Sequence, residues 1–255
     1  MADTKNNQER LLQTEALFAY EKALYDAGAC VVVGIDEVGR GALAGPVTAA
    51  AVVLGADWQL VPGLNDSKQL SAKQRTELST LLTGEGAESV HNYCIAHVDA
   101  DYIDQHGIMP ALRCAMKQAF EGLAGRGSAA GGSSLVGGDT STEPVANYSQ
   151  LHSAKTLSET ADKILIDGHP LGLFPQEEAI IKGDSKIACI AAASILAKVA
   201  RDELMVETAE RYPEYDFDSN KGYTSAKHQE AIAKHGLSSV HRRSFCQNFL
   251  QKSLF

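Results

Sequence analysis

Val31-Val32-Val33-Gly34-Ile35-Asp36-Glu37-Val38-Gly39-Arg40-Gly41-Ala42-Leu43-Ala44-Gly45-Pro46-Val47 begins as an apolar, β-branched run and stops at two adjacent carboxylates. Val31 to Asp36 reads as a short buried strand, and Val38 to Gly45 as a glycine-rich loop. Pro46 to Leu54, rich in valine and alanine, reads as a second strand. Before this stretch, residues 8–27 carry Leu11, Phe18 and Tyr25 seven apart, the spacing of an amphipathic helix, which Gly28 ends. After it, Asp66-Ser67-Lys68 sits in a loop ahead of a helix starting near Ser71. Val90 to Val98 is a third strand, and Ala100 to Leu123 is mostly helix. Lys163 to Asp167 is the fourth strand, ending in Asp167-Gly168, and Glu178 to Lys182 the fifth, ending at Gly183-Asp184. Ser185 to about Glu210 is a long helix with an alanine-rich face, followed by helices at Ser225 to His235 and Ser239 to Lys252. The pattern predicts a mixed sheet with helices on both faces.

The rest of the composition narrows the class. The 255 residues are 44% hydrophobic and 22% charged, ordinary for a globular chain. No apolar run approaches the roughly 20 residues a membrane span needs. The N-terminus is polar and lacks the apolar core of a signal peptide, so a cytoplasmic location is expected. Five scattered cysteines, Cys30, Cys94, Cys114, Cys189 and Cys246, form no C-x-x-C pair and read as reduced thiols. The net charge of −9 argues against a nucleic-acid partner, yet Ser219 to Phe255 holds six basic residues against one acidic, a local +5. Such a tail fits either a phosphate backbone or a solvated helix face. Residues 125–158, dense in glycine and serine at the start, read as a flexible insertion within one core.

Four carboxylates stand where strands run out: Asp36 and Glu37, Asp167, and Asp184. Strand ends converge on one edge of an open α/β sheet. Carboxylates gathered there without cysteine or histidine suit Mg²⁺ or Mn²⁺. Bound cations would relieve the mutual repulsion of the carboxylates. Side chains alternate along a strand, so Asp36 and Glu37 reach one site only if the strand breaks near Asp36. Asp167-Gly168 alone is also an ordinary turn dipeptide.

The run from Gly34 to Val47 resembles the opening motif of the ribonuclease HII family. Six further matches follow in that family's order. They are Asp66-Ser67-Lys68, Ile166-Asp167-Gly168, Lys182-Gly183-Asp184-Ser185, the run Ala192 to Asp202, Lys221-Gly222-Tyr223-Thr224, and His241-Arg242-Arg243-Ser244-Phe245. Together they span residues 30–124 and 160–250. The resemblance implies an α/β, ribonuclease H-like fold, a five-stranded mixed sheet flanked by helices, with a helical C-terminal extension. The implied divisions are an N-terminal helical segment (1–29), a catalytic domain (30–218) and the extension (219–255).

The same resemblance implies that Asp36, Glu37, Asp167 and Asp184 are the catalytic carboxylates. They would hold two divalent ions, Mn²⁺ or Mg²⁺, about the scissile phosphate. It implies hydrolysis of RNA in RNA–DNA hybrids and incision 5′ to single ribonucleotides in duplex DNA, leaving 5′-phosphate and 3′-hydroxyl ends. The role would be removal of misinserted ribonucleotides and primer remnants. Gly39, Arg40, Gly41 and Tyr223 would read the ribose 2′-hydroxyl, and Lys68 and Lys198 would contact backbone phosphates. Ala42 replaces a frequent proline, which would loosen the loop slightly. Family members are usually monomers.

Other readings compete for several of these residues. The loop from Gly39 to Gly45 has neither the G-x-G-x-x-G nor the Walker spacing of a phosphate loop. A binding-only protein would not need all four carboxylates. A ribonuclease HIII would need an N-terminal platform for which about 30 residues are too few. Asp202 reads better as an ion-pair partner on a helix than as a site carboxylate, and His241-Arg242-Arg243 either touches phosphates or packs near a helix end. Gln251 to Phe255 resembles the short peptide by which bacterial replication proteins dock on the sliding clamp, or else is a helix tail folded back on the body.

Overall fold

The computed structural model describes residues 2–84, 90–123, 134–136 and 161–251. Helix α1 (Ala2–Asp26) leads into β1 (Val32–Val38) and β2 (Val47–Val53), then α2 (Ala72–Thr83), β3 (Asn92–Val98), α3 (Ala100–His106) and α4 (Ile108–Gly122). A short strand β4 (Ser134–Val136) precedes β5 (Lys163–Asp167), β6 (Glu177–Ile180) and the long α5 (Ala188–Arg211). Helices α6 (Phe217–Asn220), α7 (Ala226–His235) and α8 (Arg243–Gln251) follow.

The strands lie in the order β4-β3-β2-β1-β5-β6. Antiparallel pairing joins β1 to β2 and β2 to β3, and parallel pairing joins β1 to β5 and β5 to β6. This is the five-stranded mixed sheet flanked by helices that was expected. It is extended at one edge by three residues of β4 running parallel to β3. Those three residues belong to the glycine- and serine-rich insertion, and the rest of 125–158 lies outside the described residues.

Side-chain alternation divides the core in two. Val32, Ala50, Val52 and Leu165 face α1, α2 and α5, with Leu17, Phe18, Leu78 and the alanines of α5. Val33, Ile35, Ala49, Ala51, Ile164 and Ile166 face α3 and α4. The alanine-rich face of α5 lets that helix sit low on the sheet, and Gly34 completes the fit. A Cβ on Gly34 would run into the backbone and thiol of Cys189 in the first turn of α5. Helix α1 adds a contact that periodicity did not show: Glu21 is fully buried, and its Oε1 accepts the Cys189 amide at 2.6 Å. It thereby caps α5 from another helix, where the N-cap Ile187 supplies no side-chain bond.

Several boundaries moved for local reasons. The helix expected over Ala100 to Leu123 is two helices broken at Gly107, whose φ of 87° a glycine adopts without strain. Helix α5 starts at Ala188 because Gly183–Ser185 first forms a 3₁₀ turn. The start of α2 was legible: Ser71 and Gln74 form a complete capping box. Ala231, Ile232 and Cys246 of the C-terminal extension form a third cluster with Tyr215 and Phe217 just before it, and the cluster takes in Leu43, Ala44 and Met205. The extension is therefore seated on the glycine loop itself.

Candidate active site

The sheet register brings the carboxylates together. Ile35 pairs with Ile166 on the parallel strands β1 and β5, and Asp36 and Asp167 come one step later. Both share the face of Val32 and Leu165, the α5 side. Asp184 arrives on the same side in the 3₁₀ turn before α5, set up by a left-handed Lys182 (φ 56°) and by the Gly183 amide donating to Asp167 Oδ1 at 2.6 Å. Asp36, Asp167 and Asp184 each place an oxygen within 4.8 Å of the others.

Glu37 is not one of these three. Strand β1 does not break at Asp36 but stays paired through Val38, so Glu37 shares the parity of Val33 and Ile35 and leaves from the other side of the pleat. It is nonetheless near enough to feel the group, since burial first and then the Asp167 charge raise its pKa.

The three carboxyl groups disfavour one another's charge. Burial, followed by the charge of Glu37, pushes Asp36 well above the usual carboxylate range, against a bond from Ser194 that favours its charged form. Burial and the Asp184 charge raise Asp167, against the Gly183 amide. The Lys68 ammonium stands 2.7 Å from Asp184 Oδ2. Its partial burial opposes its charge, but the bond to Asp184 and the charges of Asp184, Asp66 and Asp36 prevail and raise its pKa. An all-oxygen donor set with a lysine already drawn in fits a hard divalent cation.

Sequence reasoning missed the supports of this cluster. Ser194 of α5 bonds Asp36, and its hydroxyl is 2.8 Å from that of Ser67. The Asp-Ser-Lys motif thus reaches the site twice, through Ser67 and through Lys68. Two serines far apart in the chain leave no periodic signal that could have announced this.

The glycine loop lies beside the carboxylates. The Gly39 amide donates to the Tyr223 hydroxyl at 3.1 Å, joining two of the expected ribose-reading residues. Arg40 and Gly41 are exposed, and the Arg40 guanidinium rests on Met109 at the start of α4. Lys198 Nζ bonds Asp202 at 2.7 Å and lies 5.8 Å from the centre of the Tyr223 ring. Asp202 is thus the ion-pair partner it was read as. His241 and Arg242 are buried, which makes them packing residues rather than phosphate contacts and withdraws Arg242 from the basic surface of the tail.

Solved structures share this fold. They include the ribonuclease H2 of Pyrococcus horikoshii OT3 (TM-score 0.60, 22% identity, covering 88% of this chain and 99% of that one). The RNase HII solved in a PCNA complex from Archaeoglobus fulgidus also aligns (TM-score 0.59, 20% identity, 86% and 96% covered). So does Bst-RNase HIII in complex with Mn²⁺ (TM-score 0.58, 16% identity, 91% and 72% covered). The fold is that of the ribonuclease H class. Residues 33–248 match the family Ribonuclease HII, and the chain belongs to that family. Relatives named Ribonuclease HII include those of Endomicrobium trichonymphae (40% identical over 90% of this chain and 91% of that protein) and Oceanobacillus iheyensis (40%, over 94% and 79%). The chain is an endoribonuclease acting on nucleic acid, and its family uses divalent metal ions. None of its described helices is long and apolar enough to cross a membrane.

Proposed function

We propose that this enzyme hydrolyses the RNA strand of RNA–DNA hybrids and incises on the 5′ side of single ribonucleotides in duplex DNA, leaving 5′-phosphate and 3′-hydroxyl ends. The observation that carries the reading is the approach of Asp36, Asp167 and Asp184 within 4.8 Å beside a loop bonded to Tyr223. One part of the site suits phosphate chemistry and the adjacent part suits a sugar.

Asp36, Asp167 and Asp184, with Glu37 at the margin, would hold two divalent ions, Mn²⁺ or Mg²⁺. When bound, such ions supply positive charge to the scissile phosphate and to the attacking and leaving oxygens. The chain's own residues do the remainder. Ser194 and the Glu37 amide, the latter 2.7 Å from Asp36 Oδ1, fix the Asp36 carboxylate, and the Gly183 amide fixes Asp167. Lys68 offsets negative charge at Asp184 and turns to a backbone phosphate when substrate enters; Lys198 makes a second such contact. Gly39, Arg40 and Gly41 present backbone groups to the 2′-hydroxyl, and Tyr223 packs on the sugar. Action as a monomer in the cytoplasm, on misinserted ribonucleotides and primer remnants, belongs to the same reading.

Gln251–Phe255 supplies a sliding-clamp contact in this reading. Its resemblance to clamp-binding peptides supports that role, as does the Archaeoglobus fulgidus RNase HII, a protein of the same fold that forms a complex with PCNA. Residues 252–255 lie outside the described residues. Unchanged clamp affinity after deleting Gln251–Phe255 would remove that part alone.

The main test uses an end-labelled DNA duplex carrying one ribonucleotide, with Mg²⁺ or Mn²⁺. A single cut on the 5′ side of the ribonucleotide, giving a 3′-hydroxyl, is expected. Cutting of long hybrids with no cut at the single ribonucleotide would confine the activity to hybrids.

A further inference from the structure

Arg201 and Arg242 are both fully buried, and neither has an ion-pair partner among the described residues. Burying a guanidinium without an anion is costly, and two nearby charges repel each other. Their hydrogen bonds go to main-chain carbonyls instead. Arg201 donates from Nε to Pro46 (2.9 Å), from Nη1 to Lys221 (2.9 Å) and from Nη2 to Ala44 (3.1 Å). Arg242 donates from Nε to Gly45 (2.9 Å) and from Nη1 to Arg40 (3.1 Å), while its Nη2 is buried with no partner among the described residues. The carbonyls of Ala44, Gly45 and Pro46, three in succession, are thereby turned inward.

The amides of the same loop divide accordingly. Those of Leu43 and Ala44 donate to the Gly222 carbonyl, that of Gly45 to Val240, and that of Ala42 to Gly39. Among the described residues no partner is present for the amides of Arg40 and Gly41, and the Gly39 amide meets only the Tyr223 hydroxyl. The two donors left open, on Arg40 and Gly41, belong to residues assigned to the ribose, and the third amide of that run, on Gly39, holds Tyr223 beside them. The Arg201 guanidinium also lies 5.1 Å from the centre of the Tyr223 ring. A Cβ on Gly39 would collide with the Arg201 side chain, so that glycine is needed for the arginine as well as for its φ of 88°.

We infer that Arg201 and Arg242 are positioning residues for ribose recognition: they hold the loop carbonyls inward so that the Arg40 and Gly41 amides, with Tyr223, face the 2′-hydroxyl. A planar fork can bind several carbonyls at fixed angles, which a lysine ammonium cannot do. Simple core filling does not account for the pair, because apolar side chains would fill the volume without the burial penalty. The inference rests on the ribose-reading role proposed above.

The test compares wild type with Arg201→Lys and Arg242→Lys by hydrogen exchange, by Mn²⁺ titration and by binding to two duplexes in chelator, where no strand is cut. One duplex is all DNA and the other carries a single ribonucleotide. Faster exchange confined to residues 39–46 and 221–223 is expected. The preference for the ribonucleotide duplex should fall roughly tenfold or more, as for a misplaced recognition group, with Mn²⁺ affinity unchanged. Faster exchange throughout β1, β2 and β3, an undiminished preference, or failure of both variants to fold would overturn the inference. If only one variant folds, that one decides. A wild type with no preference between the duplexes would sink the ribose-reading role, and the exchange pattern would then decide the positioning role alone.

Discussion

Asp36 and Asp167 stand one step beyond the Ile35–Ile166 pair on neighbouring parallel strands, both on the face covered by α5. Their proximity is therefore fixed by the sheet register, and slipping either strand by one residue would send its carboxylate to the α4 face. The fold by itself holds the two carboxyl groups together.

The first consequence concerns Asp36→Asn. The amide keeps the shape but cannot ionise, so a buried charge that the free protein disfavours is removed. Activity should fall by at least about a hundredfold, the scale of losing a principal electrostatic group. In chelator the variant should melt higher than wild type, by about 2–4 °C for each kcal/mol gained in a chain of this size. Thermal denaturation in EDTA beside a cleavage assay checks both halves; a lower melting temperature would contradict the strain assigned to Asp36.

The same shifts set a pH dependence for the metal-free protein. Asp36, Glu37 and Asp167 have folded pKa values above their ordinary ones. Their protonated forms favour the fold, so this contribution is complete below the ordinary carboxylate pKa and is lost as pH rises through the folded values. Added Mn²⁺ or Mg²⁺ should reverse the loss. The rise in melting temperature on adding metal is thus expected to be larger at pH 8 than at pH 5.5, as denaturation scans at the two pH values would show.

Much of this site was legible in the sequence, for identifiable reasons. Strand ends carry an apolar run into an acid residue, so Asp36, Asp167 and the turn at Asp184 could be placed without coordinates. The position of Glu37 could not, because whether β1 continues through Asp36 depends on its pairing with β2. Nor could Ser67, Ser194, Arg201 and Arg242, whose roles depend on contacts across long sequence separations. The trans caps were hidden in the same way: Glu21 caps α5, and Asp104 accepts the amides of Arg243 and Ser244 at the start of α8.

Asp104→Ala should accordingly loosen the C-terminal extension. Loss of a helix cap typically costs about 1 kcal/mol, and here three bonds go together, since the Ser244 hydroxyl also donates to Asp104 at 2.6 Å. Faster hydrogen exchange in α8, with β1 and β5 unaffected, is the expected pattern. Uniform protection would show that the cap is dispensable.

A buried histidine pair gives the extension an acid limit. The Ser238 amide donates to His241 Nδ1 at 3.0 Å, so that nitrogen is unprotonated and His241 Nε2–H donates to His228 Nε2, 3.0 Å away. His228 Nδ1–H then donates to the Tyr223 carbonyl at 2.9 Å. The chain of bonds closes only with both rings neutral. Burial, then the neighbouring His228, holds His241 down to about 4, and burial lowers His228. Folded values below the ordinary one mean stability that is complete above about pH 6.5 and is lost as pH falls toward 4. His241→Gln should flatten that loss in equilibrium denaturation between pH 7 and pH 4.5; an unchanged slope would place the acid sensitivity elsewhere.

The most direct test of the carboxylate centre is cleavage of a labelled RNA–DNA hybrid at graded Mn²⁺ or Mg²⁺, by wild type and by Asp36→Asn, Asp167→Asn and Asp184→Asn, with Mn²⁺ binding followed by calorimetry. The expected result is wild-type cleavage that a chelator abolishes, with each substitution weakening both cleavage and binding. Full cleavage in chelator, or variants that cut at the wild-type rate, would contradict a metal-dependent site at these three residues.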